Sequence, residues 1–193
     1  MGGSGAGKSS LLNILSGRFS TGTMTGSVTL NGYPRNPDNW NTVCSFVERD
    51  DVILENLTVE EVLAYTARLR LDRSMSCDER IKHVNDIISA LGLEALRHTK
   101  ISSGLSVRKR KIVAIAIELL IDPHILFLDE PVSSLDSHEA LELLQTIKKL
   151  TVEKKMIVLL TIHQPRTDIL ELFDRIIIMS MGKTVWNGHL NGI

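Results

Sequence analysis

The first ten residues carry the pattern with the clearest chemistry in the sequence. Gly2, four further residues, Gly7, Lys8 and Ser9 match G-x-x-x-x-G-K-[ST] at every fixed position. Glycines let backbone N–H groups approach phosphate oxygens, the lysine reaches the β- and γ-phosphates, and the hydroxyl can bind Mg²⁺. The pattern predicts a nucleoside triphosphate site; the alternative is a Gly/Ser-rich tail that contains a lysine by chance. The residues assigned to the site are Gly2, Gly3, Ser4, Gly5, Ala6, Gly7, Lys8, Ser9 and Ser10.

The residues that follow this loop favour a helix, which argues against an unstructured tail. Leu11 to Ser16 read as a helix, and Gly17 is expected to end it. Phosphates would then lie at a helix N-terminus, where the dipole favours anions. A loop of this type normally follows a buried β-strand, and in this sequence it begins at residue 2. We therefore expect one edge of the sheet to be unpaired.

A second candidate for chemistry is the acidic pair Asp129 and Glu130. The pair directly follows the apolar run Ile125 to Leu128, which predicts a buried strand with both acids at its carboxyl end. In that position Asp129 can bind Mg²⁺ through water, and Glu130 can polarise an attacking water. The alternative is a pair of carboxylates that cap the next helix.

The composition limits the classes of function. The chain has 193 residues, of which 43% are hydrophobic and 23% charged, which is enough for one globular domain with a core. A net charge of −1 gives no electrostatic argument for nucleic acid as a partner. Cys44 and Cys77 have neither metal spacing nor the density of a disulfide scaffold. No apolar run approaches the roughly 18 to 20 residues that span a bilayer, and no signal peptide is recognised.

Strands and helices alternate along much of the chain. Short strands are predicted at Ser27 to Leu30 and Thr42 to Val47, and two helices follow, the first opened by the capping box at Thr58. A third apolar helix precedes Pro123. The later elements are expected in the order strand Ile125–Leu128, helix from Ser137, strand Met156–Ile162, helix opened by Pro165, strand Arg175–Ser180 and strand Lys183–Trp186. Strands alternating with helices in this half favour a parallel sheet with ligands at the carboxyl ends of its strands.

These motifs occur in the order expected for an ATP-binding cassette. The chain resembles, over nearly its whole length, the nucleotide-binding domain of a G-type half-transporter of the white/pigment and sterol exporter-like kind. We call the segment Gly2 to Ser9 the glycine loop. Besides this loop, the resemblance is carried by Glu48 to Glu61, Ile125 to Pro131, and Thr161 to Pro165 followed by Leu172-Phe173-Asp174. It implies the α/β fold of P-loop NTPases, a single three-layer core with a mostly parallel sheet at about 1–50 and 123–193 and an inserted helical lobe at about 57–121.

The resemblance also implies roles for individual residues. ATP and Mg²⁺ are the expected ligands, with Ser9 and Asp129 holding the metal and Glu130 acting as general base. His163 is placed where the family has the histidine that contacts the γ-phosphate; a lone histidine would otherwise be read as structural. Arg49, Ser106 and Asp136 fall at the Q-loop, signature and D-loop positions. The implied partners are a second cassette and transmembrane domains, at the cytosolic face of a membrane.

Two departures from the family pattern bear on activity. Val107 and Arg108 replace both glycines of the signature, and side chains there obstruct the close backbone approach to phosphate that glycine permits. Arg49 replaces the Q-loop glutamine, and a guanidinium has only donors, so it repels a metal. Glu48 offers an oxygen nearby, although neighbouring strand residues point to opposite faces.

The defects fall on different half-sites, because in the family each ATP lies between the Walker motifs of one subunit and the signature of the other. A homodimer would then have two weak sites, whereas a heterodimer with an intact partner would keep one. The leading interpretation is an ATPase that powers export. The alternative is an ATP-binding but hydrolysis-deficient regulatory half of a heterodimer. A soluble cassette ATPase of translation or DNA repair would call for tandem cassettes or basic patches, which are absent from this sequence.

Overall fold

The computed structural model describes residues 1–19, 22–50 and 53–190. Short strands and two helices come first in the chain, a group of helices follows, and the remaining strands alternate with two more helices. The elements are α1 (Lys8–Ser16), β1 (Thr29–Leu30), β2 (Tyr33–Pro34), α2 (Pro37–Val43), β3 (Cys44–Val47), α3 (Val59–Arg70), α4 (Cys77–Ala90), a 3₁₀ turn (Glu94–Leu96), α5 (Ile101–Gly104), α6 (Val107–Leu119), β4 (Ile125–Leu128), α7 (Ser137–Glu153), β5 (Ile157–Leu160), α8 (Thr167–Leu170), β6 (Ile176–Ser180) and β7 (Lys183–Gly188).

The central sheet is parallel and has the order β3-β4-β5. Its register pairs Val47 with Leu128, and Leu128 with Leu160, so the three strands end at the same level. The residues that follow them therefore meet at one edge of the sheet. This edge is where the candidate site lies.

Side-chain alternation along β3 and β4 divides the core into layers. Phe46, Ile125 and Phe127 pack against α1 and α2 in one hydrophobic cluster. On the opposite face, Leu126 and Leu128 belong to a larger cluster with residues of α6 and α7. Because successive strand residues point to opposite faces and all four residues of each strand are buried, β3 and β4 are covered on both sides. The expected three-layer α/β core is confirmed.

Most of the segment between β3 and β4 is helical. Helices α3, α4 and α6 pack on one another, and their apolar residues continue into the cluster formed with β4 and α7. The division of the chain into a core and an inserted lobe remains a prediction, since one hydrophobic cluster spans both. None of the helices formed by the described residues combines the length and apolarity that crossing a bilayer requires.

The second edge of β5 faces a cavity. Strands β6 and β7 form a separate antiparallel pair, and among the described residues no strand pairs with this edge of β5. Met1 forms one step of a ladder with β6, since its N–H group donates to Ile177 O at 2.5 Å and its carbonyl accepts from Met179 N at 2.8 Å. The mainly apolar cavity between α1, α7, β5 and β6 has a volume of about 500 Å³.

Three element boundaries differ from the sequence-based expectation. Thr42 and Val43 were expected in a strand but end helix α2, because Asn36 accepts from Asp38 N and caps a helix that starts at Pro37. The indole of Trp40 in the same helix donates to Ser16 O. The helix expected from Pro165 begins only at Thr167 and has four residues. The strand expected from Ser27 is reduced to β1, which pairs with β2.

The predicted capping box at the start of α3 is confirmed. Thr58 Oγ1 accepts from Glu61 N, and the Glu61 carboxylate accepts from Thr58 N at 2.8 Å. The backbone N–H of Thr58, followed by its hydroxyl, lowers the pKa of the Glu61 carboxyl from 4.5. A carboxyl with a lowered folded-state pKa contributes stability above its unfolded-state pKa and loses it as the pH falls through the folded-state value.

Thr58→Ala is expected to lower the free energy of unfolding by about 1 kcal/mol at pH 7, because it removes the side-chain cap. Thr58→Ser keeps the hydroxyl and is the matched control. Urea denaturation at pH 7 and pH 3 measures the effect, and the difference between Thr58→Ala and the unaltered protein should shrink at pH 3. An equal difference at both pH values would show that the Glu61 carboxylate does not contribute through the cap.

Candidate functional site

The glycine loop wraps around the amino group of Lys8. Lys8 Nζ donates to the carbonyl oxygens of Gly2 and Gly3, each at 3.0 Å, and the side chain is buried. Gly7 caps α1 in the left-handed conformation at φ 91°, and an added Cβ would lie 3.3 Å from Gly182 Cα. At Gly2 an added Cβ would lie 2.3 Å from Met179 O. The loop therefore fits against the β6–β7 turn only with glycine at these two positions.

Asp129 and Ser9 lie side by side at the carboxyl end of β4. Ser9 Oγ donates to Asp129 Oδ1 at 3.0 Å, and Thr161 Oγ1 donates to the same oxygen at 2.5 Å. Asp129 N also donates to Val47 O at 3.0 Å, which continues the β3–β4 ladder by one residue. Carboxylate and hydroxyl oxygens are the ligands that Mg²⁺ prefers, together with water and substrate phosphates. The oxygens brought together here fit that ion.

Glu130 adopts an unusual backbone conformation directly beside Lys8. Its φ is 45°, in the left-handed region that non-glycine residues rarely occupy, and its N–H group donates to Thr161 Oγ1 at 2.8 Å. The side chain is only 13% exposed, and Oε1 lies 3.5 Å from Lys8 Nζ. The strained turn thus directs the carboxylate of Glu130 toward the glycine loop.

His163 follows β5 and is exposed. It lines a cavity of about 190 Å³ together with Glu130 and Asp136. Among the described residues, no hydrogen bond or ion pair occupies its ring nitrogens. The imidazole is therefore free to contact a ligand that enters beside Glu130.

Arg49 approaches Glu130 from the segment that follows β3. Its Nη1 lies 3.4 Å from Glu130 Oε2, and Lys111 Nζ donates to its backbone carbonyl at 2.9 Å. The preceding residue, Glu48, points elsewhere and pairs with Arg18 at 2.7 Å. Glu48 therefore does not supply the oxygen that the Q-loop position lacks.

Comparison with known proteins identifies a family to which the chain belongs. Residues 1–133 match the protein family described as ABC transporter. The chain belongs to the ABC transporter family. It is similar over 97% of its length to three G-type relatives: ABC transporter G family member 3 of Dictyostelium discoideum (40% identity over 192 residues), ABC transporter G family member 19 of Arabidopsis thaliana (42% over 193 residues) and the broad substrate specificity ATP-binding cassette transporter ABCG2 of Rattus norvegicus (38% over 192 residues). The chain spans 14%, 26% and 29% of these relatives, respectively.

Two solved structures resemble the fold of this ABC transporter chain. One is cbiO1 from Clostridium perfringens, described as part of the ABC transporter complex cbiONQ, with a TM-score of 0.85 over 98% of this chain and 75% of that one, at 22% identity. The other is the ATP-binding cassette MJ0796, a dimer in a post-hydrolysis state bound to ADP and Pi, with a TM-score of 0.78 over 100% of this chain and 84% of that one, at 26% identity. The expected family and fold class are confirmed.

Helix α6 of this ABC transporter chain begins in the segment that resembles the family signature. Ser106 is the N-cap and accepts from Lys109 N at 3.4 Å. Val107 is 51% exposed, and the guanidinium of Arg108 pairs with the Glu142 carboxylate of α7. Arg108 is therefore bound within its own chain, so its charge is not free to replace the phosphate contacts of a glycine signature. No hydrogen bond or ion pair among the described residues joins Ser106 to the glycine loop.

Asp136 serves as the N-cap of α7. Its Oδ1 accepts from His138 N at 2.9 Å and from Glu139 N at 2.8 Å. The observed contacts of Asp136 are thus those of a helix cap, and its assignment to a D-loop remains a prediction.

Two site residues were missed in the sequence analysis. Thr161 bridges Asp129 and the backbone of Glu130, and Lys111 holds the main chain at Arg49. A threonine directly after the strand next to β4 was the available signal for Thr161. Lys111 lies in a basic run of α6, and nothing in that run distinguishes the one buried lysine from its half-buried neighbours.

Proposed function

We propose that this chain binds Mg·ATP between the glycine loop and the carboxyl end of β4, and hydrolyses it. The observation that carries the proposal is the hydrogen bond between Ser9 and Asp129 at 3.0 Å, because it joins the two motifs that hold the metal and the triphosphate. The residues next to these two in each motif are also close, since Lys8 Nζ lies 3.5 Å from Glu130 Oε1. The arrangement unites residues 120 positions apart in the chain.

The individual residues then have distinct tasks. Lys8 exchanges the carbonyls of Gly2 and Gly3 for β- and γ-phosphate oxygens, while backbone N–H groups of the loop and α1 bind the remaining phosphate charge. Ser9 and Asp129 would hold Mg²⁺, which would supply positive charge against the phosphates. Glu130 accepts a proton from the attacking water, and His163, in the same cavity, orients the γ-phosphate and that water.

The transport function belongs to a larger assembly. This chain covers less than a third of the three G-type relatives, so we infer that it acts as the nucleotide-binding domain of a G-type half-transporter at the cytosolic face of a membrane. Transmembrane domains of such a transporter would carry the exported substrate. Their contact with this chain is expected around the segment after Arg49.

The second cassette that completes the site is proposed to differ from this chain. The dimeric structural neighbour supports a paired assembly, and the signature of this chain offers exposed Val107 and an internally paired Arg108 to the opposite site. A partner with an intact signature would complete the site built on Glu130. Two copies of this chain would leave both sites without a glycine signature.

Titration with Mg·ATP tests the binding step directly. A ligand that binds only the folded state stabilises it by about 2.7 kcal/mol at a concentration one hundred times the Kd. We expect the thermal unfolding temperature to rise with Mg·ATP, and to rise less with ATP in excess EDTA. An unchanged unfolding temperature, together with no binding by calorimetry, would contradict the proposal.

Turnover with and without an intact second cassette tests the pairing. We expect the mixture to hydrolyse ATP faster than either chain alone, and Glu130→Gln in this chain to remove the increase. Equal turnover per chain, alone and mixed, would contradict the requirement for a different partner. Mg·ATP binding without hydrolysis in either form would instead identify a regulatory, non-hydrolysing half.

A further inference from the structure

Two cations lie close to the carboxylate of Glu130. Lys8 Nζ lies 3.5 Å from Oε1, and Arg49 Nη1 lies 3.4 Å from Oε2. Each oxygen of this largely buried carboxylate therefore faces its own positive charge. A water that is to lose its proton to Glu130 therefore approaches a carboxylate whose two oxygens each face a cation.

The two cations differ in what nucleotide binding does to them. Lys8 belongs to the glycine loop and would move to the phosphates, which frees Oε1. Arg49 is 61% exposed at its side chain and makes no hydrogen bond to the loop among the described residues, so its pairing with Oε2 does not depend on the loop contacts that Lys8 gives up.

The main chain at Arg49 is fixed from the signature helix. Lys111 of α6 is buried, and its Nζ donates to Arg49 O at 2.9 Å. The same helix begins at the N-cap Ser106. A shift of α6 relative to β4 would therefore move the main chain at Arg49 relative to Glu130.

We propose that Arg49 is a positioning residue that holds Glu130 Oε2 away from the attacking water and so restrains hydrolysis. The restraint ends when a movement of α6, transmitted through Lys111, draws Arg49 off the carboxylate. A general base must present an oxygen within hydrogen-bond reach of the proton that it accepts, and the ion pair at Oε2 draws the carboxylate toward Arg49 and away from that water. The inference rests on the proposed function, because it concerns the same base.

Arg49→Met tests the restraint, since it removes the charge without adding a metal ligand as glutamine would. We expect kcat for Mg·ATP to rise by about fivefold, the rate equivalent of the upper range for a partly exposed ion pair, with KM changed less than about twofold. Arg49→Lys retains a charge and should keep most of the restraint. Arg18→Met removes the neighbouring exposed arginine, which pairs with Glu48, and is the matched control.

The measurement uses the form, alone or mixed with an intact cassette, that shows the higher turnover. The rise in kcat must disappear when Arg49→Met is combined with Glu130→Gln, because the restraint acts through that carboxylate. Turnover of Arg49→Met equal to or below that of the unaltered protein overturns the inference, including the case in which neither hydrolyses ATP. If the unaltered protein does not bind Mg·ATP, the proposed function fails as well, so the two failures are distinguished by the binding titration.

Discussion

Lys8→Met is expected to weaken Mg·ATP binding by about 10²-fold or more. Removing one partner of a buried, hydrogen-bonded charge pair costs about 2–5 kcal/mol, and each factor of ten in Kd corresponds to about 1.4 kcal/mol. Lys8 is buried, and all three of its observed partners, Gly2 O, Gly3 O and Glu130, lie where the triphosphate would bind. Methionine keeps the length of the side chain and removes only the ammonium group.

Calorimetric titration with Mg·ATP measures the loss of affinity in Lys8→Met. Lys149→Met is the matched control, because Lys149 lies on the exposed side of α7 in an i,i+4 pair with Glu153, remote from the glycine loop in the chain. Its affinity for Mg·ATP should equal that of the unaltered protein. If Lys8→Met bound Mg·ATP as tightly as the control, the phosphates would have to lie somewhere other than the glycine loop.

Glu130→Gln is expected to lower the turnover of Mg·ATP by about 10³-fold while binding is retained. A positioned general base contributes about 10²–10⁴-fold to the rate of a reaction. Glutamine has nearly the shape of glutamate and keeps the strained turn at φ 45°, but its amide cannot take the proton of the attacking water. The loss should therefore appear in kcat and not in the affinity for Mg·ATP.

Single-turnover hydrolysis, measured beside equilibrium binding, separates the two effects. Glu153→Gln, an exposed carboxylate near the end of α7, is the control and should leave both quantities unchanged. The replacement also removes the negative partner of Lys8, so Mg·ATP affinity should be equal to or higher than that of the unaltered protein. Undiminished turnover in Glu130→Gln would assign the base to another residue.

Much of the fold follows from local patterns in the sequence. The capping box at Thr58, the apolar run of β4 and the glycine after α1 each lie within a few residues of the element that they define. Helix α2 was missed although its cap at Asn36 and its first-turn Pro37 are also local, because the following Val43 and Cys44 favour a strand. The indole of Trp40, which donates to Ser16 O, helps to place this helix on α1. A distant contact thus supports the helical assignment.

The candidate site also contains residues that local patterns predict and contacts that such patterns do not predict. The residues that would bind phosphate and metal were predictable, because their spacing in the loop and their position after an apolar strand are themselves the signal. The sequence also shows directly that Val107 and Arg108 stand where the resemblance expects glycines. The ion pair of the Arg108 side chain could not be predicted, because its partner Glu142 is 34 residues away on another helix.

By itself, the sequence determined which groups are present: a glycine loop, a pair of acids after an apolar run, and arginines at two positions where the resemblance expects a glutamine and a glycine. Only the tertiary structure decided which groups meet. The β3–β4–β5 register places Arg49, Glu130 and Thr161 at one sheet edge, and the left-handed turn at Glu130 directs its carboxylate to Lys8. The physical reason is that a parallel sheet aligns strand ends from distant parts of the chain, and ion pairs form between whichever side chains that alignment brings together.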